Sequence, residues 1–252
     1  MTENALHDRR IHVVGASRGL GRGVAVALAE AGARVLAIGR SAGALAQLRE
    51  DAGVDVRVGD ATDPTFVSNT LDDDPPDGIV LVAGARPAMQ PIDRYSWEAL
   101  SAPWNTDVKA TFLWLQQALQ RPWRSEGRVV VFSSGAALHG SPLSGGYAGA
   151  KQTQRFLCQY ASGEARRREL SLTIQCILPQ LNPNTGLGAA GVRAYAQRAG
   201  EDVQSFVRKR FGETPLSPEI AGRQITRLLS DDALRGSAEF MLHGGGLKAL
   251  DG

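Results

Sequence analysis

The sequence predicts an α/β fold with a doubly wound parallel sheet of about seven strands and helices on both faces. Short segments rich in Val, Ile and Leu alternate along the chain with longer segments of helical period. This alternation is typical of a parallel sheet, because the connection between two parallel strands crosses the sheet as a helix. At 252 residues the chain is long enough to bury a substantial core, and we expect one domain over residues 1–252.

The expected strands are the apolar runs bounded by glycine, proline or acidic residues. They are predicted near residues 11–15, 34–39, 54–58, 78–83, 128–132, 172–178 and 238–242. Gly53 follows the second helical segment, where glycine commonly ends a helix. Asp63-Pro64 and Ser217-Pro218 each place a capping residue before a proline, which is the pattern of a helix N-terminus.

Two segments depart from simple alternation. Pro103 interrupts a helical stretch that runs from Tyr95 to Gln120, so this helix must bend or divide into two. Residues 179–215 contain glycine, proline and two short helical patterns without a strand, and we predict a substrate lid there. Its candidate lining residues are Leu181, Leu187, Tyr195, Phe206 and Phe211.

Charge and cysteine content exclude several classes of partner. The chain has 28 basic and 26 acidic residues, a net charge of +2 that does not favour nucleic acid or a membrane surface. Cys158 and Cys176 belong to no CxxC or Cys/His cluster, so we expect neither a disulfide framework nor a metal site. The first ten residues lack the apolar core of a secretory signal, and the expected location is cytoplasmic.

A glycine-rich turn follows the first predicted strand. Gly15, Gly19 and Gly21 lie between this strand and a helix, which is the context of a dinucleotide-phosphate turn. The second strand ends at Arg40 with no Asp or Glu, and Arg18 lies within the glycine turn. Because a ribose 2′-phosphate requires cations where a free 2′-hydroxyl is met by an acid, we predict NADP(H) over NAD(H).

A serine, a tyrosine and a lysine form the candidate catalytic group. Ser134 ends a predicted strand, and Tyr147 and Lys151 are four residues apart on one face of the following helix. A carbonyl that accepts a hydride needs a proton and a second hydrogen-bond donor. We predict that Tyr147 exchanges the proton, that Lys151 stabilises its phenolate, and that Ser134 positions the carbonyl oxygen.

These motifs together resemble the short-chain dehydrogenase/reductase family over nearly the whole chain. The matching segments are "GASRGLG", "GDATD", "LVAGA", Ser134, "YAGAK" and "LHGGG". The resemblance implies a Rossmann-type sheet, a nicotinamide cofactor, a small carbonyl or alcohol substrate, and a homodimer or homotetramer joined through residues 104–120 and 147–168. The cofactor contacts that it implies, with the two arginines, are Gly15, Ser17, Arg18, Gly19, Leu20, Gly21, Arg40, Asp60, Ala61, Ala83, Gly84, Tyr147, Lys151, Pro179 and Thr185.

The sequence departs from the family pattern at four places. Val14 replaces a threonine, Leu81-Val82 replaces an asparagine pair, and Gln180 replaces a glycine. The family's threonine after this glycine corresponds to Thr185, which lies one residue later than the pattern expects. The asparagine of the family's proton relay falls at Asp107, or at Asn105 in an offset register. A carboxylate beside Lys151 would favour the ammonium and oppose the phenolate.

The departures leave alternatives open. A nucleotide-binding regulatory protein of the same fold, without turnover, is the competing class, although retention of Ser134, Tyr147 and Lys151 argues against it. A third class is an enzyme of this fold that performs dehydration or epimerisation. The sequence does not distinguish a steroid, a sugar, a polyketide or an acyl thioester as substrate.

Overall fold

The computed structural model describes residues 6–123, 126–183, 185–212 and 214–250, so the ends of the expected domain, 1–5 and 251–252, lie outside it. Within these ranges eight strands form one sheet in the order β3-β2-β1-β4-β5-β6-β7-β8. The strands are β1 Arg10–Val14, β2 Arg34–Gly39, β3 Asp55–Val58, β4 Gly78–Leu81, β5 Gly127–Phe132, β6 Leu172–Pro179, β7 Glu239–His243 and β8 Gly246–Ala249. The doubly wound parallel sheet that the sequence predicts is confirmed.

The last strand, β8, was missed by the sequence prediction of about seven strands. It pairs antiparallel with β7, with His243 opposite Gly246, while β1 to β7 are parallel. Its segment is short and lacks β-branched residues, so it carries no propensity signal. The turn through Gly244 and Gly245 folds it back onto β7, and Gly246 has a φ of 119°.

Helices cover both faces of the sheet. They are α1 Gly19–Glu30, α2 Ala42–Ala52, α3 Pro64–Asp73, α4 Trp97–Pro103, α5 Lys109–Gln120, α6 Ala136–His139, α7 Gly145–Arg167, α8 Gly186–Ala199, α9 Val203–Phe211 and α10 Pro218–Ser230. One apolar core joins α1, α2 and α10 to the sheet, and the other joins α3, α5 and α7 to its opposite face. Trp114 of α5 is fully buried in the second core, as are the free thiols Cys158 and Cys176.

Helices α1 and α10 cross at two glycines. A Cβ on Gly23 would lie 2.2 Å from the carbonyl oxygen of Pro218, and one on Gly222 would lie 2.4 Å from that of Gly23. Both distances are far inside van der Waals contact, and the obstructing atoms are backbone. Only glycine therefore permits this separation of the two helices.

We expect Gly23→Ala to destabilise the protein by about 1–3 kcal/mol, because the new methyl group must push the two helices apart. The free energy of unfolding in urea measures this loss. Gly43→Ala in α2 is the matched control, since a Cβ there meets nothing within 4 Å. Equal unfolding midpoints for Gly23→Ala and the unaltered protein would show that the crossing tolerates a side chain.

The helical stretch interrupted by Pro103 is divided, as the sequence predicts. Helix α4 ends at Pro103, one π turn occupies Trp104–Val108, and α5 begins at Lys109. The missing N–H and the ring of Pro103 disturb the turn before it, and the π turn directly follows this proline. Asp107 lies within this π turn.

The predicted lid segment contains two helices and no strand beyond Pro179 within its described residues. Thr185 caps α8, its Oγ1 accepting a hydrogen bond from the Gly188 N–H at 3.1 Å. Asp202 caps α9 by accepting from the Ser205 N–H at 3.0 Å. None of the helices in the described ranges has the length and apolarity needed to cross a bilayer.

Candidate active site

A cleft of about 1580 Å³ opens at the carboxyl ends of the strands. It lies where the strand order reverses, between β1 and β4, which is the usual ligand position in sheets of this type. Each predicted cofactor residue lines it, together with Ser134. Asp107 lies behind the cleft wall, where it pairs with Lys151.

The glycine turn after β1 is built for close backbone approach. Gly15 has a φ of 92°, and a Cβ on it would lie 2.5 Å from the Ala83 nitrogen. A Cβ on Gly21 would lie 2.2 Å from the Gly15 carbonyl oxygen. Side chains at these positions would fill the space between β1, β4 and the start of α1, so the glycines keep a cradle open at a helix N-terminus.

One end of the cleft carries the two arginines singled out in the sequence. Arg18 and Arg40 are exposed and, among the described residues, form no hydrogen bond or ion pair. Asp60 lies at the same end and accepts from the N–H and the hydroxyl of Thr62, both at 2.9 Å. The backbone hydrogen bond from Thr62, with a contribution from the Arg40 charge, lowers the pKa of Asp60.

Lys151 is the centre of the candidate catalytic group. It is buried, and its Nζ lies 5.4 Å from the centre of the Tyr147 ring, on the same face of α7. The ammonium donates to the Phe132 carbonyl oxygen at 3.0 Å and lies 3.0 Å from Oδ2 of Asp107. Ser133 donates to the Lys151 carbonyl oxygen at 2.7 Å, which ties α7 to the end of β5.

Ser134 follows β5 at the same edge of the sheet. Its Oγ accepts from the Ala136 N–H at 3.2 Å, which leaves the hydroxyl hydrogen free to be donated into the cleft. Ser134, Tyr147 and Lys151 line this one cleft, as their spacing predicts. The arrangement can supply a proton, a cation beside it, and a second donor to a carbonyl oxygen.

Asp107, and not Asn105, faces Lys151. Asp107 is fully buried, whereas Asn105 is exposed. Its Oδ1 accepts from the Ala85 N–H at 2.6 Å and from the Thr106 hydroxyl at 2.8 Å. A Cβ on Gly84 would lie 2.9 Å from Oδ2. The carboxylate therefore holds the loop after β4, where the sequence has Leu81-Val82 in place of the asparagine pair.

The buried ion pair determines the charge of Lys151. Burial opposes the charged form, but the Asp107 carboxylate and the neighbouring Tyr147 outweigh it and raise the pKa of Lys151 above its ordinary value. Lys151 therefore stays an ammonium at neutral pH.

Two departures from the family pattern also lie at the cleft. The Gln180 N–H donates to the Leu242 carbonyl oxygen at 2.7 Å, so the pairing of β6 with β7 continues through the position where a glycine is usual. Thr185 lies over the glycine turn, with its Cγ2 3.5 Å from the position of a Cβ on Gly19. The lid therefore begins against the predicted cofactor cradle.

The lid also contacts the loop before α7. The hydroxyl of Tyr195 bonds to that of Ser141, which in turn accepts from the Ser144 hydroxyl at 2.6 Å. The lining residues expected from the sequence that face the cleft are Leu181, Tyr195, Phe206 and Phe211. The side chain of Leu187 lies outside the described part of the chain.

Sequence reasoning missed three arginines that line the cleft, Arg86, Arg198 and Arg210. A signal was present for each. Arg86 comes two residues after Gly84 in the turn that follows β4, and the other two lie one helical turn after Tyr195 and Phe206, on the faces already expected to line the lid.

Comparison with known proteins gives one family. The model of the short chain dehydrogenase family matches residues 9–193 of this chain. An uncharacterised short-chain type dehydrogenase/reductase of Sinorhizobium fredii is 31% identical over 140 residues, which span 55% of this chain and 56% of that protein. A 12alpha-hydroxysteroid dehydrogenase of a Clostridium species is 24% identical over 96% of this chain and 98% of its own length.

Solved structures share the fold over nearly the full chain. A short chain dehydrogenase of Shigella flexneri, described as putative and complexed with NADP, has a TM-score of 0.77 at 25% identity, covering 95% of this chain and 98% of that one. An NAD+-bound xylitol dehydrogenase has a TM-score of 0.80 at 20% identity, covering 97% of this chain and 100% of that one. These two similar structures hold different cofactors.

Proposed function

This chain belongs to the short-chain dehydrogenase family of oxidoreductases, and from that premise we propose that it is an NADP(H)-dependent enzyme that interconverts a carbonyl and an alcohol. The observation that carries the proposal is the buried Lys151 ammonium beside the Tyr147 ring, next to Ser134 at the carboxyl edge of the sheet. A protein that only bound nucleotide would have no need of a proton donor at this place.

The residues present fit a nicotinamide dinucleotide. The cradle kept open by Gly15 and Gly21 suits a pyrophosphate at the N-terminus of α1, with Ser17, Gly19 and Leu20 beside it. Asp60 and Ala61 would border the adenine, and Ala83, Gly84, Pro179 and Thr185 the nicotinamide half. When bound, the cofactor supplies or accepts the hydride.

Three side chains of the protein perform the proton chemistry in this proposal. Tyr147 gives its phenolic proton to the carbonyl oxygen in reduction and takes it back in oxidation. The Lys151 ammonium stabilises the phenolate that remains. Ser134 donates its hydroxyl to the same carbonyl oxygen, which orients the substrate and disperses the developing negative charge.

The preference for NADP(H) over NAD(H) is part of the proposal. It is supported by Arg18 and Arg40, two guanidiniums without partners among the described residues, and by the absence of an acid directly after β2. Guanidinium groups match phosphate oxygens in a two-pronged geometry. Asp60, the nearby acid, is bonded to Thr62 at the end of the next strand.

The direct test is oxidation of NADPH and NADH with a broad panel of ketones and aldehydes. Turnover with NADPH supports the proposal. Binding of NADPH without turnover of any member of the panel would favour the second candidate function, a nucleotide-binding regulatory protein. The observation behind that candidate is the Asp107–Lys151 ion pair, since a carboxylate there opposes formation of a phenolate.

We expect Asp107→Asn to move the pH profile of turnover to lower pH. Loss of the carboxylate lowers the pKa of Lys151, so the ammonium loses its proton at lower pH, and it also removes a negative charge that opposes the phenolate. The amide oxygen can still accept from the Ala85 N–H, which preserves the loop. The measurement is kcat/KM against pH, with Asp73→Asn on α3 as control. If the pH profile is unchanged in both Asp107→Asn and Asp107→Ala, this carboxylate has no role in the proton relay.

The proposal includes a homodimer or homotetramer, a cytoplasmic location and no nucleic-acid or membrane partner. Support for the oligomer comes from apolar side chains exposed on α5 and α7, namely Phe112, Phe156 and Tyr160, the last two with stacked rings whose centres are 6.0 Å apart. Exposed aromatic groups of this kind are typical of interfaces. The free thiols of Cys158 and Cys176 suit a reducing compartment.

We expect Phe156→Glu to dissociate the oligomer, because it would bury a charge without a partner in the apolar interface. Light scattering after gel filtration gives the mass. Val203→Glu on α9 is the control, an exposed apolar residue outside α5 and α7. The proposed interface is wrong if the protein and both variants have one mass.

A further inference from the structure

We propose that the substrate carries an anionic group, a carboxylate or a phosphate ester, separated from its reacting carbonyl by an apolar segment. This inference rests on the proposed function and names the class of its substrate. The cations available to this group are Arg86, Arg198 and Arg210, which line the cleft and are called the basic wall.

The three arginines lie on the loop after β4 and on the two lid helices. Arg86 is in the loop after β4, and its guanidinium lies 3.3 Å from the position of a Cβ on Gly186, at the start of α8. Arg198 is on the last turn of α8 and Arg210 is near the end of α9, the two lid helices. The basic wall therefore joins the loop that Asp107 anchors to the lid that would close over a substrate.

Within the described part of the chain, no carboxylate forms an ion pair with the wall. Asp60 is the one carboxylate among the described residues that line the cleft, and it lies at the opposite end, near Arg40. None of the three guanidiniums forms an ion pair or hydrogen bond within the described ranges, whereas Arg22 pairs with Asp51 and Arg155 with Glu239. Unpaired cations that line a cleft raise the local concentration of anions and favour an anionic ligand.

The cofactor does not account for the whole wall. Its phosphates have the glycine cradle, Arg18 and Arg40 in the proposed site. Arg198 lies twelve residues after Gly186 in α8, a distance of about 18 Å along the helix axis from the end that contacts Arg86. A guanidinium so far from the cofactor cradle is available to the substrate.

Apolar side chains line the same cleft as these cations. They include Met89, Leu181, Phe206 and Phe211, and Phe206 and Arg210 are one helical turn apart on α9. This surface suits a hydrocarbon segment between the carbonyl, held at Tyr147, and the anionic end. A neutral, fully polar substrate would leave both features unused.

The test measures binding separately from turnover. Hexanoate, hexyl phosphate and hexanamide share a six-carbon chain and differ in their end group. Each is titrated calorimetrically into the 252-residue chain with and without NADP⁺. The variants are Arg86→Gln, Arg198→Gln, Arg210→Gln and the triple variant. Arg193→Gln on α8 and Arg208→Gln on α9 are matched controls, because both arginines are exposed and do not line the cleft.

We expect at least one anion to bind about tenfold or more tightly than the amide at low salt. The preference should fall with added salt, disappear in the triple variant and persist in both controls. The stronger of the two anions identifies a carboxylate or a phosphate as the group recognised. In turnover, 5-oxohexanoate should have a lower KM than its methyl ester, with the difference lost in the triple variant.

Two results would overturn the inference: equal binding of both anions and the amide, or a preference that the triple variant retains. A triple variant with weakened NADPH binding and an unchanged anion preference would assign the wall to the cofactor, which also overturns it. If no carbonyl compound is reduced but the anion preference depends on the wall, the proposed function fails and the anion site stands.

Discussion

Replacement of Tyr147 by phenylalanine should lower kcat for carbonyl reduction by about 10²–10⁴-fold, the usual contribution of a positioned general acid. The substitution removes the phenolic oxygen and keeps the ring beside Lys151. Steady-state oxidation of NADPH, with a ketone that the unaltered protein reduces, measures kcat. Fluorescence titration measures the dissociation constant of NADPH in parallel, and we expect a change of less than about threefold because the glycine cradle and both arginines remain.

The matched control is Tyr160→Phe, which makes the same change on the same helix at an exposed position that does not line the cleft. Full activity in Tyr160→Phe with its loss in Tyr147→Phe assigns the proton donor. If Tyr147→Phe keeps more than about a tenth of the activity, another group delivers the proton, since loss of a general acid costs more than this. Ser134→Ala should lower kcat by a smaller factor, because the hydroxyl positions the carbonyl and does not transfer the proton.

Removal of both Arg18 and Arg40 should raise the dissociation constant of NADPH by about 100-fold, with about tenfold from each guanidinium. A hydrogen bond between charged groups contributes about 1.5–3 kcal/mol to the free energy of binding. Both arginine side chains are exposed, so we expect a contribution near the lower end of this range. NADH lacks the 2′-phosphate, so its dissociation constant should change little. The ratio of the two constants, from titration of Arg18→Ala, Arg40→Ala and the double variant, isolates the phosphate contribution.

Arg34→Ala is the control for the loss of a positive charge from β2. Arg34 begins this strand at the opposite edge of the sheet, whereas Arg40 directly follows its carboxyl end. The proposed preference fails if the unaltered protein binds NADPH and NADH with comparable constants, or if the ratio in Arg40→Ala equals that of the unaltered protein. A large change in Arg34→Ala would show that the effect comes from net charge.

Local patterns predicted most of the sheet, because each strand is a short apolar run between residues that end it. The predicted third strand, 54–58, is found at Asp55–Val58, and the predicted sixth, 172–178, extends by one residue to Pro179. The strand Gly246–Ala249 was not predicted, because its own residues carry no strand signal. It forms because a glycine turn folds the chain back and pairs it with β7. Pro103 indicated a break in its helix but not the π turn that replaces the α-helical hydrogen bonds.

The sequence by itself determined the fold class, the glycine turn after β1, and the placement of Tyr147 and Lys151 on one helical face. These features depend on neighbours along the chain, where strand and helix periods relate spacing to direction. Only the tertiary structure decided that Asp107 and not Asn105 faces Lys151. It also showed that the Asp107 carboxylate accepts a hydrogen bond from the Ala85 N–H. The shared cleft of Arg86, Arg198 and Arg210 likewise became visible only in the structure. Their chain neighbours do not specify these contacts, because packing of the π turn, α7 and the lid helices brings distant segments together.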